Sequence, residues 1–145
     1  MDVLKEKGLT PLRVILGFSL LTTTLHYAHN VIRAADYPPV PGIPLLVTQV
    51  VVAFGWVLFT VFGWLGYRAY EQGRYPRALA FLLVYSLSGL ASAGHFLVGV
   101  PRIPAFWFAT IFTDSAAALA LWVFVTWAWS VLNRVTSRDQ VSTQH

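Results

Sequence analysis

The sequence predicts an all-α fold, an integral membrane antiparallel four-helix bundle that forms a single domain over residues 1–145. Of the 145 residues, 57% are hydrophobic and 11% are charged, whereas soluble domains contain roughly 25% charged residues. Four windows reach the roughly 20 apolar residues that a helix needs to cross a bilayer. The connections between these windows are short, and short connections place successive helices side by side in antiparallel order.

The composition also excludes several classes of protein. The chain has no cysteine, so it has no disulfide, no thiolate metal ligand and no thiol nucleophile. It contains no Gly-x-Ser-x-Gly elbow, P-loop or dinucleotide fingerprint, which leaves hydrolase and nucleotide-driven functions without support. The Lys and Arg residues are spread along helix ends instead of clustering on one face, which argues against a nucleic-acid partner.

The four spans are predicted over residues 12–32, 43–67, 78–100 and 105–132. A loop rich in proline, with Pro38, Pro39 and Pro41, separates the first two because proline cannot continue a helix. A polar segment over 68–77 precedes the third span, and a tight turn over 101–104 precedes the fourth. Thr22–Thr24 interrupts the first apolar run early, so we expect no cleaved signal peptide.

The basic residues orient the predicted bundle. Two of the ten Lys and Arg residues, Arg33 and Arg102, lie on one side, and the other eight lie on the opposite side. Cytoplasmic loops carry the excess of Lys and Arg, so we expect both termini in the cytoplasm and both proline-containing loops outside. The absence of a targeting signal favours a bacterial inner membrane. The eight are Lys5, Lys7, Arg13, Arg68, Arg74, Arg77, Arg134 and Arg138.

Polar residues recur at helical spacing on one face of every span. A polar side chain at membrane depth is costly unless it faces a partner or a cavity. Counted from the outer end of each span, the most polar of these residues lie roughly 5–14 Å deep. We therefore expect one polar pocket on the outer-leaflet side of the bundle. The residues with this spacing include His26 and His29 or Asn30, Gln49 and Trp56, Tyr85, Ser92 and His95, and Thr110 and Asp114.

This pocket predicts binding of a largely apolar small molecule or a membrane lipid. If the protein is an enzyme, the expected activity is an isomerase reaction by proton transfer. His26, His95 and Asp114 are the expected catalytic group, because an imidazole paired with a carboxylate can move a proton on and off an apolar substrate. The expected ligand-binding residues are His29, Asn30, Gln49, Trp56, Tyr85 and Ser92.

The sequence leaves two alternative functions open. His26, His29, His95 and Asp114 could supply three nitrogens and one oxygen to zinc, copper or iron, or two of the histidines could hold haem, in a redox or transport protein. The main expectation is that no cofactor is bound. The second alternative is a structural subunit of a larger membrane complex, or a homo-oligomer, with the aromatic outer faces as contact surfaces.

The order of features along the chain resembles the family of emopamil-binding protein and the sigma-2 receptor, small four-helix proteins of sterol metabolism and apolar-ligand binding. The shared features are a polar-striped first helix, the Tyr37-Pro38 loop, Gln49 early in the second helix, a basic loop, and His95 in the third helix. The resemblance covers most of the chain and implies the architecture. That family uses acidic residues on its first two helices, whereas here the acidic residue inside a span is Asp114.

Overall fold

The computed structural model describes residues 3–142, and it describes side chains for residues 3–134. The long helices are α1 (Val3–Ile32), α2 (Leu45–Glu71), α3 (Tyr75–Ala93) and α5 (Ala105–Ser142). A 3-10 turn (Ala34–Asp36) follows α1, and the short helix α4 (His95–Val98) lies between α3 and α5. Residues 3–142 contain no β-strand. The all-α prediction is confirmed.

The four helical segments are long and apolar enough to cross a membrane when α3 and α4 are taken together as Tyr75–Val98. Each segment exceeds the roughly 20 residues that a hydrocarbon core of about 30 Å requires. The membrane-crossing character that the sequence predicts is therefore present in the fold. The orientation of the bundle stays a prediction.

The helices form a closed ring in which α1 contacts α2 and α5, and α3 contacts the same two helices from the other side. Contacts between α1 and α5 run antiparallel. Gly8 near the start of α1 lies against Trp127, and His26 near its end lies against Thr110. Consecutive long helices are thus neighbours, as short connections require.

Helix α1 begins at Val3, well before the predicted start at residue 12. The reason is a contact between helix ends, because the buried hydroxyl of Tyr70 on α2 donates to the backbone oxygen of Leu4 at 2.8 Å. The helix runs through Pro11, which has no N–H to give to the carbonyl of Lys7. At the other end of the chain, α5 continues to Ser142, beyond the predicted end at residue 132.

The third predicted span, 78–100, is interrupted near its carboxyl end. The amide of Gly94 bonds to the oxygen of Ala91 at 2.9 Å, a tighter pattern than the α-helical one. The segment then ends at Gly99, whose φ of 151° is rarely adopted by L-residues. A Cβ at Gly99 would lie 3.1 Å from Pro38. The break allows the loops at 33–44 and 99–104 to pack together.

The bundle has two halves of different composition. We call the half nearest the turn at 72–74 the arginine half; its interior is apolar, with Leu12, Leu82 and Leu121 fully buried. In it, Gly66 lets α2 approach the side chain of Leu82 closely. We call the half nearest the loops at 33–44 and 99–104 the histidine half. Its buried residues are mostly polar.

Candidate functional site

Three ring side chains meet at the end of the histidine half. His26 comes from α1, Tyr37 from the loop after it, and His95 from the first position of α4. The ring centroids of His26 and His95 are 5.4 Å apart, and those of Tyr37 and His95 are 4.8 Å apart. His26 is 1% exposed. Together with His29 we call these residues the histidine cluster.

His29 and Asn30 connect the cluster to the rest of the bundle. The Nδ1 atom of His29 lies 2.9 Å from the hydroxyl of Tyr37, and its ring stacks on Trp107 at 4.3 Å. Burial, reinforced by the nearby carboxylate of Asp36, raises the pKa of Tyr37 to about 12, so its phenol is protonated at neutral pH. The Nδ2 atom of Asn30 donates to Nε2 of His95 at 2.9 Å.

The hydrogen bonds of Thr110 assign the proton on His26. The Thr110 hydroxyl donates its single proton to the backbone oxygen of Trp107 at 2.6 Å, so its oxygen accepts from Nδ1 of His26 at 3.0 Å. An uncharged His26 therefore carries its proton on Nδ1 and has a lone pair on Nε2. That Nε2 atom is buried and has no hydrogen-bond partner among the described residues.

Asp114 on α5 is fully buried, with 0% exposure. Its Oδ2 atom accepts a hydrogen bond from the Ser92 hydroxyl at 2.8 Å, and Thr22 lies close to the same carboxylate. Its Oδ1 atom is buried and has no partner among the described residues. The expected pairing of Asp114 with a histidine is wrong within residues 3–134, where its carboxylate forms no ion pair with an imidazole. The α3 hydroxyl of Ser92 takes that position instead.

The two unpartnered atoms lie on neighbouring levels of the α1–α5 interface. His26 faces Thr110, and one helical turn further into the bundle Thr22 faces Asp114. The levels are therefore separated by about 5.4 Å along the helix axis. Both Nε2 of His26 and the carboxylate oxygen of Asp114 accept hydrogen bonds. A group that donates hydrogen bonds would satisfy them, and leaving such atoms unpaired costs about 1–3 kcal/mol each.

A cavity of about 340 Å³ lies beside the histidine cluster, between the first loop, the start of α2 and the junction of α3 and α4. Asn30, Tyr37 and His95 line its polar side, and Pro38, Val40 and Ile43 line part of its apolar side. Ligand pockets typically have volumes of about 300–1,000 Å³ and apolar walls with a few polar groups. The cavity has this composition.

Three residues expected in the pocket lie elsewhere. Gln49 donates to the backbone oxygen of Val31 at 2.8 Å, which ties α2 to α1. Trp56 lines an apolar groove between α1 and α2, where its Nε1 atom is buried without a partner among the described residues. The Tyr85 ring packs against Gly63, toward the arginine half. None of the three lines the cavity beside the histidine cluster, because helical spacing gives a face and not the neighbour of that face; their role in ligand binding stays a prediction.

The structure does not assemble the alternative metal site. Within the described residues, no three His, Asp or Glu side chains are arranged to hold a metal ion. His29 faces Tyr37 and Trp107, and Asp114 faces Ser92. The four predicted ligands, His26, His29, His95 and Asp114, are therefore divided between two levels with different partners.

Three residues of the site were not assigned a catalytic or binding role from the sequence. Tyr37 and Trp107 have the positions of interfacial aromatic anchors, and Thr110 is one member of a polar stripe. A signal existed for Thr110, since it stands four residues before Asp114 on the same helical face. Tyr37 had none, because it follows the helix in a segment without periodicity. Its burial, with 6% exposure, depends on the 3-10 turn that folds it back.

Comparison of the chain with protein-family models, curated proteins and solved structures gives no match. The class of the protein is therefore described from its fold and site alone. It is a bundle of four helices of membrane-crossing length, with buried polar residues concentrated at one end.

Proposed function

We propose that this chain is an integral membrane protein whose histidine half binds a largely apolar small molecule or lipid by its polar end. The apolar body of the ligand would occupy the cavity below Pro38 and Ile43. Its polar end would reach past the histidine cluster toward Asp114. We further propose a bacterial inner membrane as its location, and we propose that both termini lie in the cytoplasm because of the bias in Lys and Arg.

One observation carries this proposal: Nε2 of His26 and Oδ1 of Asp114 are buried and unpartnered within the described residues, on levels of the α1–α5 interface that are one helical turn apart. Buried polar atoms in folded proteins are almost always hydrogen-bonded, and exceptions call for an explanation. Because both atoms accept, the proposed ligand carries an N–H or O–H group at its polar end. The resemblance to the emopamil-binding protein family agrees with an apolar ligand between helices.

The expected isomerase reaction is a further prediction about the same site. His26 is the candidate base, since its Nε2 has a free lone pair in the described structure. Efficient proton transfer requires the base within hydrogen-bond reach of the substrate proton. Binding is the function that the geometry favours, because the imidazole and the carboxylate are not paired with each other.

The test uses three rigid apolar compounds that differ only in their polar end: adamantanol, adamantylamine and methoxyadamantane. Binding to purified protein in detergent is measured by isothermal titration calorimetry. We expect adamantanol or adamantylamine to bind at least about ten-fold more tightly than methoxyadamantane, which is the effect of one hydrogen bond to a charged group. Equal affinity for all three compounds would contradict the proposal.

A matched pair of variants locates the binding site. Asp114→Asn removes the buried charge with little change in shape, and Asp36→Asn makes the same change in the exposed ion pair with Arg33. We expect Asp114→Asn to reduce the preference for adamantylamine, whose amino group has more than one N–H donor and can reach both acceptors, and Asp36→Asn to retain it. Visible absorbance and metal analysis of the same samples test the haem and metal alternatives. Stability that requires a partner chain would favour the structural-subunit alternative.

A further inference from the structure

A second site is suggested by a groove between α1 and α2 in the arginine half. The groove has a volume of about 340 Å³. Leu16, Leu20 and Trp64 form much of its apolar wall, and the polar residues Arg13 and Tyr67 lie at one end. Trp64 is 60% exposed and Leu20 is 42% exposed. The groove therefore opens sideways, onto the surface that acyl chains would cover in a membrane.

Gly17 keeps this groove open. A Cβ atom built at Gly17 would meet no atom within 4 Å, whereas one at Gly63 on the groove floor would lie 3.0 Å from the Tyr85 ring. The floor is thus closely packed and the space above it is free. From Arg13 to Leu20 the groove follows α1 for about 10 Å, which suits part of an extended acyl chain.

The charged end of the groove has an excess of positive charge. The Nε atom of Arg13 donates to the Tyr67 hydroxyl at 2.9 Å, and its NH2 group lies 3.2 Å from Glu71. Arg68 contacts the same carboxylate at 3.5 Å. Two guanidinium groups therefore share one carboxylate. A guanidinium has five N–H donors and matches phosphate geometry, and the Arg13 side chain is 54% exposed.

From these observations we infer that the groove binds one anionic phospholipid, with an acyl chain along Gly17 and Leu20 and the phosphate against Arg13. The sideways opening lets a bilayer lipid enter directly, and the net positive charge favours an anionic headgroup. This site shares no residue with the histidine cluster or with the pair of unpartnered acceptors on His26 and Asp114. Its test is therefore independent of the proposed function.

The experiment measures quenching of Trp64 fluorescence by brominated lipids in vesicles of phosphatidylcholine and phosphatidylglycerol. The Trp64 signal is obtained as the difference between the wild type and Trp64→Phe. We expect brominated phosphatidylglycerol to quench about five-fold more per mole than brominated phosphatidylcholine, the selectivity of about one basic residue. Arg13→Gln should reduce this ratio to about one, and Arg77→Gln, the same change on α3, should retain it.

A second pair of variants tests the acyl-chain part of the site. Gly17→Leu fills the groove and should reduce quenching of Trp64 by both lipids. Gly55→Leu is the control, because a Cβ at Gly55 also meets nothing within 4 Å but Gly55 does not line the groove. Circular dichroism establishes whether each variant folds. If Gly17→Leu does not fold, the quenching ratio of the surface variant Arg13→Gln tests the inference.

Three results would overturn the inference. The first is equal quenching of wild-type Trp64 by the two brominated lipids, and the second is an unchanged ratio in Arg13→Gln. The third is loss of the preference when excess inorganic phosphate is added, together with normal quenching in Gly17→Leu, because that combination describes a site for a small anion.

Discussion

The two halves of the bundle satisfy their polar groups in different ways. In the arginine half, the buried Tyr70 hydroxyl bonds to a backbone oxygen, and Arg13, Tyr67 and Glu71 bond to one another. The Thr60 hydroxyl in its groove is buried without a partner among the described residues. In the histidine half, buried polar residues form cross-helix bonds that leave an imidazole nitrogen and a carboxylate oxygen unpartnered within the described residues. Both halves are built on the same four helices, so the difference lies in the side chains.

This difference indicates a division of roles. Apolar packing and close helix contacts hold the arginine half together, since van der Waals contact and small residues drive helix association in lipid. The histidine half keeps unpaired acceptors at a cost of about 1–3 kcal/mol each. Such a cost is typical of sites that bind a ligand. The same substitution should therefore have different consequences in the two halves.

The largest expected effect is that of Gly89→Ala on the α3–α5 contact in the histidine half. A Cβ at Gly89 would collide with the backbone of Asp114, which cannot move without separating the helices. We expect a loss of about 3 kcal/mol in the free energy of unfolding, at the upper end for overpacking. Gly66→Ala in the arginine half meets mainly the flexible Leu82 side chain and should cost about 1 kcal/mol. Titration with a denaturing detergent measures both, and equal losses would contradict this account.

The next effect concerns the hydrogen bond that Ser92 of α3 donates to Asp114 Oδ2. Ser92→Ala removes this donor from a buried carboxylate, and hydrogen bonds to charged groups are worth about 1.5–3 kcal/mol. Ser88→Ala is the control, because its equally buried hydroxyl bonds to Tyr85 of its own helix. We expect a loss of about 2 kcal/mol for Ser92→Ala and a near-neutral result for Ser88→Ala. A similar change in both unfolding curves would indicate that the carboxylate does not depend on Ser92.

A smaller effect separates backbone strain from the role of the loops at 33–44 and 99–104. Gly99 and Gly73 both have positive φ, 151° and 73°, but only Gly99 lies against another loop, at Pro38. Each Gly→Ala change should cost about 1 kcal/mol through strain. We expect Gly99→Ala also to weaken adamantanol binding several-fold, whereas Gly73→Ala leaves binding unchanged. If calorimetry shows that both variants bind adamantanol equally, the loops do not contribute to the binding site.

The smallest effect is that of Asp36→Asn at the surface of the histidine half. Its ion pair with Arg33 spans 2.8 Å, but the Arg33 side chain is 61% exposed. Exposed pairs contribute about 0–1 kcal/mol, so we expect a change below about 0.5 kcal/mol in the same detergent titration. A loss comparable to that of Ser92→Ala would mean that the loop, and not the buried acceptors, determines the stability of this half.

The sequence predicted the helices better than their contacts. Apolar length alone was enough for four helices, because it is a property of each segment by itself. Helical spacing placed His26, Ser92 and Asp114 on inward faces, yet it could not give the partner of each face. Asp114 meets Ser92, and Gln49 meets a backbone oxygen. These pairings depend on the vertical register of the helices, which glycines such as Gly89 determine through close packing.

The structural features that escaped prediction lie where periodicity ends. Tyr37 enters the histidine cluster through a three-residue 3-10 turn, and His95 is positioned by a break at Gly94 inside an otherwise apolar run. Neither feature has a periodic signal in the sequence. Loop residues of this kind require three-dimensional information, because their burial depends on contacts between segments distant in the chain, such as Pro38 with Gly99.

The most direct test of the account is ¹⁵N NMR of the His26 ring in detergent micelles, assigned with His26→Gln and followed during addition of adamantanol. The account predicts a protonated Nδ1 and an unprotonated Nε2 in the free protein, with the Nε2 resonance moving upfield as the alcohol donates to it. The Nε2 resonance should remain unchanged with methoxyadamantane. A proton on Nε2 in the free protein, or an unchanged Nε2 resonance at saturating adamantanol, would contradict the claim that this atom is the acceptor of the site.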